Sequence, residues 1–177
     1  MGTDSPFFTG EEDVFVDANI FFAIGHPSNP QYRQFRNAVR NADVVCKLPR
    51  RVIGELGGPE MDRVQTALEE GWAEIIDAPS PADGDAVTAS DIARRTIASE
   101  TSQAEHEVEK TDGILAGLAI QYVRDRSTMG VIVLTDDQPA KKGIENAVRA
   151  QGYTDSITIY GLTDIIGDDP GDSLEII

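Results

Sequence analysis

One cysteine, two histidines and four lysines are all that this 177-residue chain carries of three reactive or cationic residue types. Each scarcity excludes something. A lone Cys46 rules out an internal disulfide and a cysteine-rich zinc centre. It sits beside Val44, Val45 and Leu48, where a buried free thiol is expected. His26 and His106 have no partner at metal-ligand spacing and read as surface or loop residues. Long apolar runs are missing too, so no membrane span is expected. The start, Met1-Gly2-Thr3-Asp4-Ser5-Pro6, has neither a basic region nor an apolar core, so no secretory leader is visible. No segment of 20–50 residues recurs, which argues against a repeat array.

What is abundant is acid. Asp and Glu number 31 against 15 Lys and Arg, a net charge of −16. Eleven of the bases are arginines. An acidic, lysine-poor chain with an ordinary apolar fraction points to a salt-rich cytoplasm. At molar salt the Debye length is about 3 Å, so surface self-repulsion is screened. Such charge ordinarily counts against a nucleic-acid partner; here it reports the solvent as readily as the substrate.

The length suits one domain with a proper core. Residues 1–12 read as a flexible lead, 13–161 as the folded domain and 162–177 as an acidic tail or short closing segment. Five short apolar runs read as strands: Asp13–Asp17, Val44–Leu48, Trp72–Ala78, Val131–Leu134 and Ile157–Tyr160. Helical patterns lie between them. One starts directly after Asp17, and another runs from Pro30 with Tyr32, Phe35 and Val39 on its apolar face. A third covers Arg50–Leu56 and stops at Gly57-Gly58-Pro59; Met61, Val64 and Leu68 stripe a fourth. The strongest begins near Thr111, with Ile114, Leu115, Leu118, Ala119, Tyr122 and Val123 in helical register. Val87 to Ile97 has a modest helical pattern, and Pro139 opens the last long helix. Strands alternating with helices give an α/β fold: a central, mostly parallel sheet of about five strands in three α/β/α layers.

Acids cluster where these elements meet. Asp17 ends the first strand, and Asp136 and Asp137 follow the fourth. Asp112 opens the most apolar helix. Glu55 lies inside the short helix after the second strand. Any one of them can be a cap or a surface residue. Open α/β sheets, however, collect their sites at the carboxyl ends of the strands. Four or five carboxylates gathered there repel one another unless cations bind. Oxygen-only ligands favour Mg²⁺ or Mn²⁺ over zinc, and such metals suit in-line phosphoryl displacement.

Four pieces in this order, Phe15-Val16-Asp17-Ala18-Asn19, Glu55, Thr111-Asp112-Gly113-Ile114-Leu115-Ala116-Gly117-Leu118-Ala119 and Leu134-Thr135-Asp136-Asp137, resemble the PIN-domain nucleases from about Val14 to Tyr160. The resemblance implies a metal-dependent endoribonuclease that cuts single-stranded or structured RNA, leaving a 5′-phosphate and a 3′-hydroxyl. It implies Asp17, Glu55 and Asp112 as metal-binding acids. The fourth follows Thr135 by one or two places: the Thr-x-Asp spacing favours Asp137, with Asp136 as the alternative. Asn19 and Thr135 would orient these groups. It further implies an RNA substrate, an antitoxin or RNA-processing partner, and a homodimer. Gly113 stands where the family often has Ala and should weaken the helix start. Residues 79–108 exceed what a minimal domain of this kind needs, and read as a lid, an RNA clamp or a partner surface.

Arg50, Arg51, Lys141 and Lys142 lie near the acids and can meet phosphate, as can Arg94-Arg95; the competing reading is solvated charge balancing an acidic surface. Trp72 reads as core, and Phe21 and Phe22 as core or a dimer face. Two rivals remain. One is a non-catalytic PIN module that binds RNA or a partner protein, which would have no need of the acids. The other is a phosphoacceptor receiver domain, which expects its Asp pair after the first strand rather than the fourth.

Overall fold

A computed structural model describes Phe8, residues 10–77, Pro79, and residues 83–108, 111–126 and 130–167; the side chains of Glu105, Thr111, Asp112 and Arg126 lie outside the described set. In chain order the elements are β1 (Asp13–Val16), α1 (Ala18–Ile24), α2 (Pro30–Asn41), β2 (Cys46–Pro49), α3 (Arg50–Ile53), α4 (Gly58–Glu70), β3 (Ala73–Ile76), α5 (Gly84–Thr101), a 3₁₀ turn at Glu105–Glu107, α6 (Thr111–Arg126), β4 (Val131–Leu134), α7 (Gln138–Gln151), β5 (Ile157–Tyr160) and α8 (Leu162–Ile166). The five strands form one sheet in the order β3-β2-β1-β4-β5. Every pairing is parallel, so the sheet is wholly rather than mostly parallel, and helices cover both faces.

The two-residue period of the central strands decides which side chain meets which helical layer. Val14 and Val16 of β1 face one side with Ile132 and Leu134 of β4, their register partners. On that side lie α1, α2, α4 and α8. Phe15, Val131 and Val133 face the other side, against α5, α6 and α7. Both central strands are buried along their whole length, which explains why they read as unbroken apolar runs rather than alternating ones. Trp72, just before β3, is enclosed: Phe21 stacks on it at 6.3 Å, while Tyr32 and Phe35 meet it edge-on. It is core, as its sequence context suggested. Among the described residues no helix is long and apolar enough to cross a membrane.

Four stretches differ from the sequence reading. The second strand is Cys46–Pro49, not Val44–Leu48, because Val44 closes the preceding turn onto Val39. The helix after it ends at Ile53, so Glu55 lies in the following turn, its N–H donating to Val52 O at 3.1 Å. Residues 84–101 form the long helix α5, which extends the modest helical pattern of Val87–Ile97 by three residues at its start and four at its end. Ala86, Ala89 and Ala93 pack it tightly against the molecule. Finally, the chain does not stop folding at 161. Leu162 opens α8 and is 5 % exposed in the core shared with α1 and α2; burying such a side chain contributes about 2 kcal/mol. Residues 168–177 of the expected acidic tail lie outside the described residues. In the expected lead, Phe8 is buried.

Gly113 has a packing reason that its sequence position hid. A Cβ there would lie 2.6 Å from the Ser90 carbonyl oxygen of α5. Gly117 meets α5 in the same way, 2.9 Å from Ala86 O, and Gly143 of α7 lies 2.8 Å from Ala93 O. Three glycines thus let α6 and α7 close onto α5, offsetting the roughly 1 kcal/mol that each costs in helix propensity.

Candidate active site

The sheet order reverses between β1 and β4. From β1 the chain winds outward through β2 to β3, then returns to place β4 on the opposite side of β1. This switch point leaves a crevice beyond the strand ends, the usual binding position in doubly wound sheets. Asp17 and Thr135 are the first residues past the two strands. Asp17 N–H donates to Leu134 O at 2.9 Å, and Thr135 N–H to Tyr160 O at 2.9 Å. The parallel ladder therefore fixes them side by side.

Asp17 is both a cap and something more. Its Oδ1 accepts the Ala18 N–H at 2.8 Å, as the N-cap of α1. Its Oδ2 accepts the Thr135 hydroxyl at 2.8 Å and the Asn19 amide at 3.0 Å. Asn19 also spans the crevice: its Nδ2 lies 3.2 Å from Thr135 Oγ1, and its Oδ1 accepts the Asp136 N–H at 3.0 Å. Thr135 Oγ1 in turn accepts the Asp137 N–H at 3.2 Å. Burial pushes the Asp17 carboxyl above the ordinary range; the Thr135 and Ala18 hydrogen bonds oppose this, and the neighbouring negative charge of Asp137 reinforces it.

The two adjacent aspartates do different things. Asp137 caps α7, its Oδ1 accepting the Ala140 N–H at 3.1 Å, and its charge is felt by Asp17. Asp136 turns the other way. Its Oδ1 accepts the Leu162 N–H at 2.8 Å, tying the end of β4 to the start of α8. The Asp164 carboxylate accepts the Gly161 N–H beside it at 2.8 Å. The domain boundary expected at 161 falls just before this junction, ahead of α8 (Leu162–Ile166). The signal was present in Gly161-Leu162-Thr163-Asp164, an acid three residues after a cap position.

Glu55 is exposed, in the turn after α3, the short helix that follows β2, the neighbour of β1. Asp112 is the second residue of α6, whose following turns pack under Phe15; its side chain lies outside the described residues. Among the described residues no three acids, histidines or cysteines stand close enough together to hold a metal ion.

The basic candidates are spread out. Arg50 is exposed, 3.7 Å from Asp77, and Arg51 is exposed beside it. Lys142 pairs with Glu100 at 3.3 Å. Lys141 is half-buried and lines a groove of about 460 Å³ between α7 and β5, with Arg149, Thr158 and Ile159. Arg94 donates to Val108 O at 3.1 Å, holding the segment after α5 in place, and Arg95 reaches back to Asp91 O at 3.4 Å. Of the histidines, His26 bonds Ser28 in an exposed loop, and His106 is exposed. Cys46 is buried and free, its thiol pushed up to about 12 by burial.

Comparison with known proteins agrees with this architecture. No curated protein matches the chain. The sequence profile of the halobacterial PIN domain matches residues 10–174, nearly the whole length and both halves of the crevice. The matched stretch takes in all five strands of the sheet and both Asp17 and Thr135 at its switch point, and the chain belongs to the halobacterial PIN-domain family.

Proposed function

We propose that the protein is a divalent-metal-dependent endoribonuclease, with Asp17, Glu55, Asp112 and Asp137 as its acids. The observation that carries this reading is the lattice around Asp17. A surface N-cap needs one oxygen; here the second oxygen is held by two further side chains, Thr135 and Asn19, from both walls of the switch-point crevice. Family membership supports the broader statement that this is a nuclease-like module.

The donors fit a hard cation. The site offers carboxylate, hydroxyl and amide oxygens, with no thiol or imidazole among them, and this set suits Mg²⁺ or Mn²⁺. The negative charge of Asp137 also makes the Asp17 carboxyl harder to ionise, a conflict that a bound cation removes. When present, the metal supplies Lewis-acid activation of water and stabilises charge on the leaving oxygen.

The remaining work falls to the chain. Thr135 and Asn19 hold the Asp17 carboxylate in one rotamer through Oδ2, so the lone pair left on Oδ1 beside the Ala18 bond keeps a fixed direction. Asp137 spends one oxygen on the α7 cap and keeps the other for the crevice. Hydrolysis joins the water oxygen to phosphorus and breaks the bond to the 3′ oxygen, which leaves with a proton. Arg50, Arg51, Lys141 and Lys142 are the cations proposed to meet neighbouring phosphates.

The test is cleavage of mixed-sequence RNA with Mn²⁺ in molar salt, comparing the native chain with Asp112→Asn. Cutting that needs metal and disappears in the variant is the expected result. RNA bound but uncut by both chains would favour a non-catalytic module instead, and labelling by acetyl phosphate would indicate a receiver.

A further inference from the structure

Charge is shared unevenly along this chain. Between Ala18 and Gly54 there are six bases and one acid, Asp43, whereas the remaining residues carry nine bases and thirty acids. The basic segment begins one residue after Asp17 and ends one residue before Glu55. Of the five described helices with twelve or more residues, α2 alone contains no acid. Its Arg33, Arg36 and Arg40 fall at i, i+3 and i+7, along one side of the helix. Arg36 is turned onto Glu70 at 3.1 Å. Arg33 and Arg40 are exposed, with no ion-pair partner among the described residues. Gln34, Asn37 and Asn41 are exposed too, so that beyond Pro30 at its start every exposed residue of α2 is an arginine or an amide.

Adaptation to salt explains acids over a whole surface; it does not explain one long helix without any. That helix joins the candidate site through α1. Asn19 and Phe22 stand at i and i+3 there, on one side. Phe22 is 50 % exposed, the most of any large apolar residue described. Lone exposed apolar residues are ordinary, but this one lies a single turn from the Asp17 lattice, where its ring can stack a base. Five of the six bases are arginine. With a Debye length of about 3 Å in molar salt, long-range steering is lost and short bidentate contacts remain. The guanidinium fork makes those with phosphate, which a lysine cannot.

We infer that the outward face of α2, reached across Phe22 of α1, is the track for the single strand of RNA extending from the site. The ligand class rests on the nuclease reading; the location rests on the charge and exposure of α1 and α2. Arg33 and Arg40 contact backbone phosphates, the amides between them take sugar or base edges, and Phe22 stacks a base.

The test uses the full chain carrying Asp112→Asn, with Mn²⁺, and fluorescence anisotropy on single-stranded mixed-sequence RNA of about four and about sixteen nucleotides. The parent should bind the longer strand more tightly. Arg33→Gln with Arg40→Gln should weaken binding of the longer strand at least about tenfold, and lower its salt slope by about 1.4, from two lost phosphate contacts. Phe22→Ala should weaken binding with the slope unchanged. Replacing both arginines by lysine should fall between, and thermal melts of all variants should match the parent. Unchanged affinity and slope in the double glutamine variant would overturn the track, while Mn²⁺-dependent cutting by the native chain would leave the nuclease reading intact. Absence of RNA binding by the parent would sink both. If sedimentation shows an oligomer that the glutamine pair dissolves while RNA affinity stays constant, the face belongs to a second copy of the chain and the track is wrong.

Discussion

Asp17 and Thr135 are 118 residues apart in the chain, yet the threonine hydroxyl donates to Asp17 Oδ2 over 2.8 Å. One hydrogen bond thus closes the switch point and aims the carboxylate most central to the proposed site. Thr135→Val should cut Mn²⁺ affinity by about ten- to a hundredfold, the range seen when a group supporting a metal ligand is removed. Thr135→Ser, which restores the hydroxyl, should recover most of it. Titration calorimetry reads both, and equal affinities for the valine and native chains would show that the hydrogen bond does not serve a metal.

Asp136 and Asp137 should separate cleanly. Asp137→Asn is expected to lower Mn²⁺ affinity by more than about a hundredfold, as loss of a direct ligand should exceed loss of a supporting one. Asp136→Ala should leave affinity within about tenfold and instead speed amide hydrogen exchange at Leu162–Ile166, because the Leu162 N–H loses its acceptor. The reverse pattern would make Asp136 the fourth acid.

Gly113→Ala tests the close approach of α5 and α6. An added methyl would collide with Ser90 O, and overpacking of this kind costs about 1–3 kcal/mol, against about 1 kcal/mol gained in helix propensity. A net loss of up to about 2 kcal/mol is expected, read as a fall in Tm. Gly58→Ala is the control: nothing lies within 4 Å of the added carbon, so no loss should appear.

The Asp83–Arg124 pair gives a pH dependence. Asp83 caps α5 through the Ala86 N–H at 3.0 Å and pairs with Arg124 of α6. The Arg124 hydrogen bonds hold its carboxyl below the ordinary range. A folded-state pKa below the unfolded value of about 3.9 means that ionised Asp83 stabilises the fold fully above that pH. The contribution fades as pH falls through the depressed value. Asp83→Asn should therefore melt below the native chain at neutral pH, and the two curves should converge only under acid, below about pH 4. A gap that persists unchanged into acid would remove Asp83 as its source.

Cys46 should be inert while the chain is folded. With its thiol buried and pushed up to about 12, almost no thiolate exists at neutral pH. A disulfide reagent should leave it untouched in molar salt and titrate it fully after addition of guanidinium. Rapid reaction of the folded chain would show that the β2 core opens.

The sequence by itself determined the layer order, the last two strands and the acids at the strand ends. These follow from local rules: apolar runs that must be buried, glycine and proline that end elements, and an acid directly after a strand. It also located Trp72 and Cys46 in the core. Tertiary structure alone separated Asp136 from Asp137. The two are identical in chemistry and adjacent in sequence; they differ because Leu162, 26 residues on, offers its N–H to one, while Ala140 offers its own to the other. It also closed α6 and α7 onto α5, through alanines and glycines whose role appears only when three helices meet. And it drew Leu162 into the core, where a tail or a short closing segment had been expected, because helices α1 and α2 leave an apolar surface that only a later segment can cover. A residue's near neighbours set its conformation, whereas the groups its side chain touches are chosen by distant parts of the chain.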